Sequence, residues 1–263
     1  MIGVAEQNIT QVLPVLKNIS KDICRIPLKK NMKDCPRVLI VGEIYVRRDD
    51  FSVDELIQHF SKRGIIAKVS SVAEWLYYCD FVRHYEIKKR LSLLPWYRRF
   101  VSKDFKDLIS WNIEHAYKHN VDKNVRGSLA STGLVPDAPH NMKEIMGNTE
   151  KHFVSHELYS EISVSVGSAA TAMMDGYSGI VNISPFACLI GRVIEGMLTP
   201  WARERKYPTI SIEIDGNLLP PNVLSKLEIF MLNVMRFKGH ADINSIVEHE
   251  GIKPVAIDRK IIR

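Results

Sequence analysis

No stretch of about 18 consecutive apolar residues occurs in this chain, so no transmembrane helix is expected. The opening segment, MIGVAEQNITQVLPVLKNISKD, mixes polar and acidic residues into its apolar pattern. It reads as an amphipathic helix rather than a signal peptide. Cysteine is scarce: the thiols at positions 24, 35, 79 and 188 are irregularly spaced, and none belongs to a CxxC pair. A chain of 263 residues has core enough to fold without disulfides, so a reducing, cytoplasmic location is expected. No GxGxxG follows a strand and no GxxxxGK[ST] is present, which disfavours a Rossmann dinucleotide site and a P-loop. Internal repeats and low-complexity segments are also missing.

What is present is an ordinary globular composition, 46% hydrophobic and 25% charged, with net charge +6 and a pI near 9.0. The basic excess is concentrated between Arg83 and Arg126, where eleven Lys/Arg face five Asp/Glu. Trp96, Tyr97, Phe100, Phe105 and Trp111 are interleaved with them. Such a stretch can meet nucleic acid or the phosphates of a nucleotide-like cofactor. Without an accompanying motif, the simpler expectation is an amphipathic helical region, with aromatics on a core and lysines in water. Nucleic acid is not an expected partner, and neither is a membrane.

Four short β-branched segments alternate with helical periodicity: Arg37–Ile44, Ile65–Ser70, Gly179–Ser184 and Thr209–Asp215. The first is followed by SVDELIQHFSKRG, where Ser52 and Glu55 fit a capping box and Gly64 a C-terminal stop. This alternation predicts an α/β fold, a Rossmann-like, mostly parallel sheet flanked by helices. Three segments are expected: a helical leader over 1–35, an α/β lobe over 36–240 with a helical insertion at about 80–150, and a tail over 241–263 that adds a helix end and an edge strand.

Ligands of open α/β sheets bind beyond the carboxyl ends of the strands. Those ends carry Glu43 after the first strand, Ser184-Pro185-Phe186-Ala187-Cys188 after the third, and Glu213-Ile214-Asp215-Gly216-Asn217 at the fourth. Glu43, Cys188 and Asp215 should therefore share one rim. Cys188 enters the first turn of a helix and could be an inert packing residue, a nucleophile activated by the helix N-terminus, or a metal ligand. Cys79, on the aromatic segment EWLYYCDF, is expected to pack in a core. Glu43 could bind substrate or backbone N–H groups, or pair with Arg47 or Arg48. Asp215 could be a binding residue or simply part of a turn.

The order VGEIYVR, EW, SPFACLIGRVIEGML and YPTISIEIDGN, closing on a helix with LEIFMLNV, resembles the 2-hydroxyacyl-CoA dehydratase D-component-like domain of the large CoA-enzyme activase-related proteins. The likeness runs from Pro36 to about Arg236. It implies an iron–sulfur cluster held between Rossmann-like lobes, with Cys188 as a metal ligand and Glu43, Ser184, Pro185, Phe186 and Asp215 lining the crevice. It further implies low-potential electron transfer or acyl-CoA dehydration, with a second cluster-binding lobe or homologous subunit, an ATP-dependent activator and an acyl-CoA as partners. The family pattern has PFGC followed by proline, whereas this chain has Ala187 and Leu189-Ile190. The N-terminal half that supplies further cluster cysteines in the family is not matched here. An alternative expectation is therefore a non-catalytic α/β scaffold or CoA-ester-binding module without a cluster.

Overall fold

The computed structural model describes residues 9–135 and 141–237, apart from the side chains of residues 9–11 and 33. The expected tail over 241–263 and the centre of the turn-rich loop before Asn141 lie outside the described residues. In chain order the helices are α1 (Ile9–Cys24), α2 (Asp50–Lys62), α3 (Val72–Leu93), α4 (Trp96–Arg99), α5 (Lys103–Leu129), α6 (Met142–His152), α7 (Glu161–Met174), α8 (Leu189–Glu204) and α9 (Pro221–Arg236). The strands are β1 (Arg37–Gly42), β2 (Ile66–Val69), β3 (Gly179–Pro185) and β4 (Thr209–Ile214). The described residues form two compact units, one from residues 9–34, 72–135 and 141–143, the other from 35–71 and 144–237. Among the described residues no helix is long and apolar enough to cross a membrane.

The second unit is the expected α/β fold. All four strands are parallel, in the order β2-β1-β3-β4. Alternation along each strand assigns the two faces. Val38 and Ile40 of β1 and Val181 and Ile183 of β3 pack with Leu56 and Phe60 of α2 and Leu227 and Phe230 of α9. Leu39, Val41 and Ile180 point the other way, onto Val166, Ala169 and Ala170 of α7 and Ile194 and Leu198 of α8. Both faces are therefore covered by helices, which is why the central strands read as nearly unbroken apolar runs. The N-terminus of α2 differs from the expected capping box. Asp49 is the cap and accepts from Ser52 N at 3.1 Å. Glu55 reaches away to accept from Leu219 N at 3.0 Å. A carboxylate cap satisfies the free N–H and also complements the positive helix end, so Asp49 outcompetes the hydroxyl of Ser52.

The first unit is helical. Helices α3 and α5 form a long antiparallel hairpin joined through α4, with Tyr77 Oη donating to Asp122 at one end and Arg90 Nε to Asp104 at the other, 3.0 and 2.8 Å. Trp111 is sandwiched between His84 and His115, with centroids 4.0 and 4.6 Å away. Burial lowers both histidines, His84 to about 4, so they stack as neutral rings. The aromatic segment does not pack as a whole: Trp111 is buried and Phe105 packs against its cluster, while Trp96, Tyr97 and Phe100 are exposed. Cys79 is exposed rather than in a core, because the inward face of α3 is taken by Tyr77, Tyr78 and Asp80.

Candidate functional site

The parallel strands of the α/β unit place Glu43, residues 184–188 and Asp215 beyond the carboxyl edge of one sheet. The chain moves left from β1 to β2 and later returns right of β1 to β3, so the topological switch lies between β1 and β3. The two strands meet there without any side chain on Gly42. Its φ is +115°, and Glu43 N continues the ladder by donating to Ile183 O at 3.0 Å.

Cys188 is held at this edge from three sides. Below it, Ser184 packs against Gly191 so closely that a Cβ on Gly191 would lie 2.1 Å from Ser184 Oγ. Buried Asn182 donates its Nδ2 to Gly191 O at 3.1 Å and to Ser211 Oγ at 3.2 Å, fixing the first turn of α8 to β3. From β4, Glu213 accepts from Ala187 N at 3.1 Å and pairs with Arg192 of α8 at 2.8 Å. The chain then turns through Pro185, whose carbonyl accepts from Cys188 N at 3.2 Å.

The result is a half-buried thiol at the N-cap position of α8, where no side chain caps the helix. The first N–H groups of α8 are thus left without a side-chain partner. The chain passes Cys188 between two exposed apolar neighbours, Phe186 (72% exposed) and Leu189 (77%). Tyr45 and Leu218 add further exposed apolar surface after β1 and β4.

Ala187 sits at φ +56°, a left-handed conformation that costs a residue with a Cβ about 1 kcal/mol. Ala187→Gly should therefore raise stability by up to about 1 kcal/mol, less what glycine loses through its freer unfolded chain. Urea denaturation of the two proteins checks this, and a clear loss of stability would contradict it.

The other expected rim residues have local partners. Glu43 Oε2 accepts from Val46 N at 2.9 Å, closing the turn after β1, and Asp215 Oδ1 accepts from Asn217 N at 3.0 Å within a turn. Neither Arg47 nor Arg48 pairs with Glu43. Both donate to Ser70 O instead, and Arg47 forms a buried ion pair with Glu161 at the start of α7, 3.1 Å. Sequence reasoning placed Glu213 at the fourth strand end without assigning it a role, and missed Glu161, Asn182 and Arg192. Of the three missed, Asn182 carried a signal, as a polar residue in the middle of an apolar strand.

An iron–sulfur cluster is held by several thiolates. On the carboxyl edge of this unit Cys188 is the one thiol. Cys35 precedes β1 and so lies at the amino edge, about 20 Å away along strands of this length. Cys24 and Cys79 belong to the helical unit. The edge therefore fits a single thiolate ligand and not a complete set. Comparison with protein-family models, with curated proteins and with solved structures finds no match.

Proposed function

We propose that this chain is one lobe of an iron–sulfur-cluster-binding assembly related to the 2-hydroxyacyl-CoA dehydratase and activase systems. The observation that supports this reading is the placement of Cys188, a thiol at a helix N-cap position beside the topological switch point of a parallel sheet, set in exposed apolar surface. In this reading Cys188 supplies one ligand and a second lobe or homologous subunit supplies the others. The residues of this chain have definable tasks: Asn182 and Glu213 hold the Cys188 turn in place, and Phe186 and Leu189 lower the local dielectric once covered. When bound, the cluster would supply one-electron transfer at low potential. An ATP-dependent activator, an acyl-CoA and a reducing cytoplasm complete the proposal.

The presence of only one thiol on the edge favours a second reading, an α/β scaffold or CoA-ester-binding module without a cluster. Anaerobic reconstitution with iron, sulfide and glutathione separates the two, because an external thiol can complete a partial ligand set. Iron should be retained by the wild type and by a Cys24→Ser/Cys35→Ser/Cys79→Ser variant, and lost from Cys188→Ser. Cys188→Ser should change thermal stability little, since the thiol is only half-buried and makes no capping bond. No iron in the wild type, or equal iron in Cys188→Ser, would overturn the cluster reading. Thermal shift with coenzyme A would then test the second.

A further inference from the structure

The turn that joins α3 to α5 gathers five exposed large apolar residues within nine positions. Leu93 is 81% exposed, Val101 82%, and Trp96, Tyr97 and Phe100 between them are exposed as well. Such a concentration on a protein surface ordinarily marks a contact site. From Glu86 to Asp107 the same segment carries seven Lys/Arg against three Asp/Glu. Apolar tip and basic surround are thus built together.

The backbone of the tip is paired within the turn. Arg99 folds back to donate to Leu94 O at 2.9 Å and Ser92 O at 3.3 Å, covering carbonyls that the end of α3 leaves open. Arg98 N donates to Pro95 O and Ser102 N to Arg99 O, while Ser102 Oγ donates to Arg99 O and caps α5 by accepting from Phe105 N. Behind the tip, Arg90 bonds Asp104 and clamps the two helices together. Such pairing is compatible with entry into an apolar phase, where unpaired backbone groups are costly.

We propose that this hairpin tip docks peripherally on an anionic lipid surface, with Leu93, Trp96, Phe100 and Val101 in the headgroup–acyl boundary and Arg98, Lys103 and Lys106 on the lipid phosphates. Tryptophan and tyrosine prefer that boundary, and basic residues beside an apolar face add attraction to anionic headgroups. The sequence expectation of no membrane partner counted only spanning helices, and interfacial docking requires none. Single-stranded nucleic acid fits less well, because the two most exposed residues, Leu93 and Val101, have no ring on which a base could stack. A second copy of the tip would bring like charges together.

Co-sedimentation of the full chain with vesicles of phosphatidylcholine, with and without one-third phosphatidylglycerol, tests the proposal. Binding should require the anionic lipid, weaken at high salt, and shift tryptophan emission to the blue in wild type but not in Trp96→Phe. Leu93→Asp/Val101→Asp and Arg98→Gln/Lys103→Gln/Lys106→Gln should each weaken binding by about tenfold or more. The charge triple replaces only exposed side chains, so it remains informative if the first variant misfolds. No binding to either vesicle, or binding indifferent to these substitutions, overturns the proposal. So does a tip-dependent affinity for single-stranded RNA, or tip-dependent self-association, in the absence of vesicle binding.

Discussion

Gly42→Ala is expected to cost at least about 3 kcal/mol of stability, and the variant is expected to lose the ordered carboxyl edge before the rest of the sheet. Two penalties coincide at this position. The φ of +115° suits glycine alone among L-residues, and an added Cβ would lie 2.0 Å from Ile183 O and 2.7 Å from Ile183 N. Those atoms are backbone of the neighbouring strand, so no rotamer change relieves the contact. β1 and β3 would have to separate at the switch point, breaking the bond from Glu43 N to Ile183 O. Gly64→Ala is the internal control: φ is +71° there, but nothing lies within 4 Å of the added Cβ, so only the dihedral penalty of about 1 kcal/mol applies. In thermal melts the Gly42 variant should fall by roughly 10 °C and the Gly64 variant by a third of that. Equal shifts in the two would mean that strand contact at Gly42 is not what the substitution disturbs.

The parallel sheet was legible because its evidence is local and repeated. Each strand is a short β-branched run, and each is entered or left through a turn residue such as Pro36, Gly64 or Asp215. The observed ends fall within two residues of the expected ones. The cap of α2 was not legible in the same way. Asp49, Asp50 and Ser52 all qualify by residue type, and only the extended backbone of Asp49 selects it. The basic-aromatic stretch shows the limit of pattern reading over long helices. Phe105 and Trp111 share a face of α5 that meets α3, whereas Trp96, Tyr97 and Phe100 fall in the turn, and helix rotation rather than composition sorts them.

At the rim the sequence located the strand ends but not the bonds made there. Glu43 and Asp215 each close their own turn, an outcome that residue type alone leaves undecided. The contacts that hold Cys188 come from Asn182, Gly191 and Glu213, two strands and a helix apart, and their convergence is a property of β3–β4 register. The pairing of Arg47 with Glu161 spans 114 positions and has no local signature at all.

That ion pair carries the second large expectation. Arg47→Met should destabilise the α/β unit by about 3–5 kcal/mol, because it leaves the Glu161 carboxylate buried without its partner. Both side chains are almost fully enclosed, 3% and 7% exposed, so water cannot take over the role of the guanidinium. The pH dependence gives the test its sign. Burial already raises the pKa of Glu161 above the usual 4.5, although its bond to Arg47 pulls the other way. A carboxyl raised in the folded state binds its proton more tightly there than in the unfolded chain. Its contribution to stability is therefore full below about 4.5 and is lost as pH rises through the folded value. Removing Arg47 removes the opposing influence, widens that window and steepens the loss. The deficit of Arg47→Met relative to wild type should thus be largest near neutral pH and shrink on mild acidification. Adding Glu161→Gln should recover most of the deficit at neutral pH, since a neutral amide is far cheaper to bury than a lone carboxylate. Urea denaturation of the four proteins of this cycle at two pH values measures each term. A single-variant cost below about 1 kcal/mol, or a double variant no better than Arg47→Met, would mean that Glu161 does not depend on Arg47 for its burial.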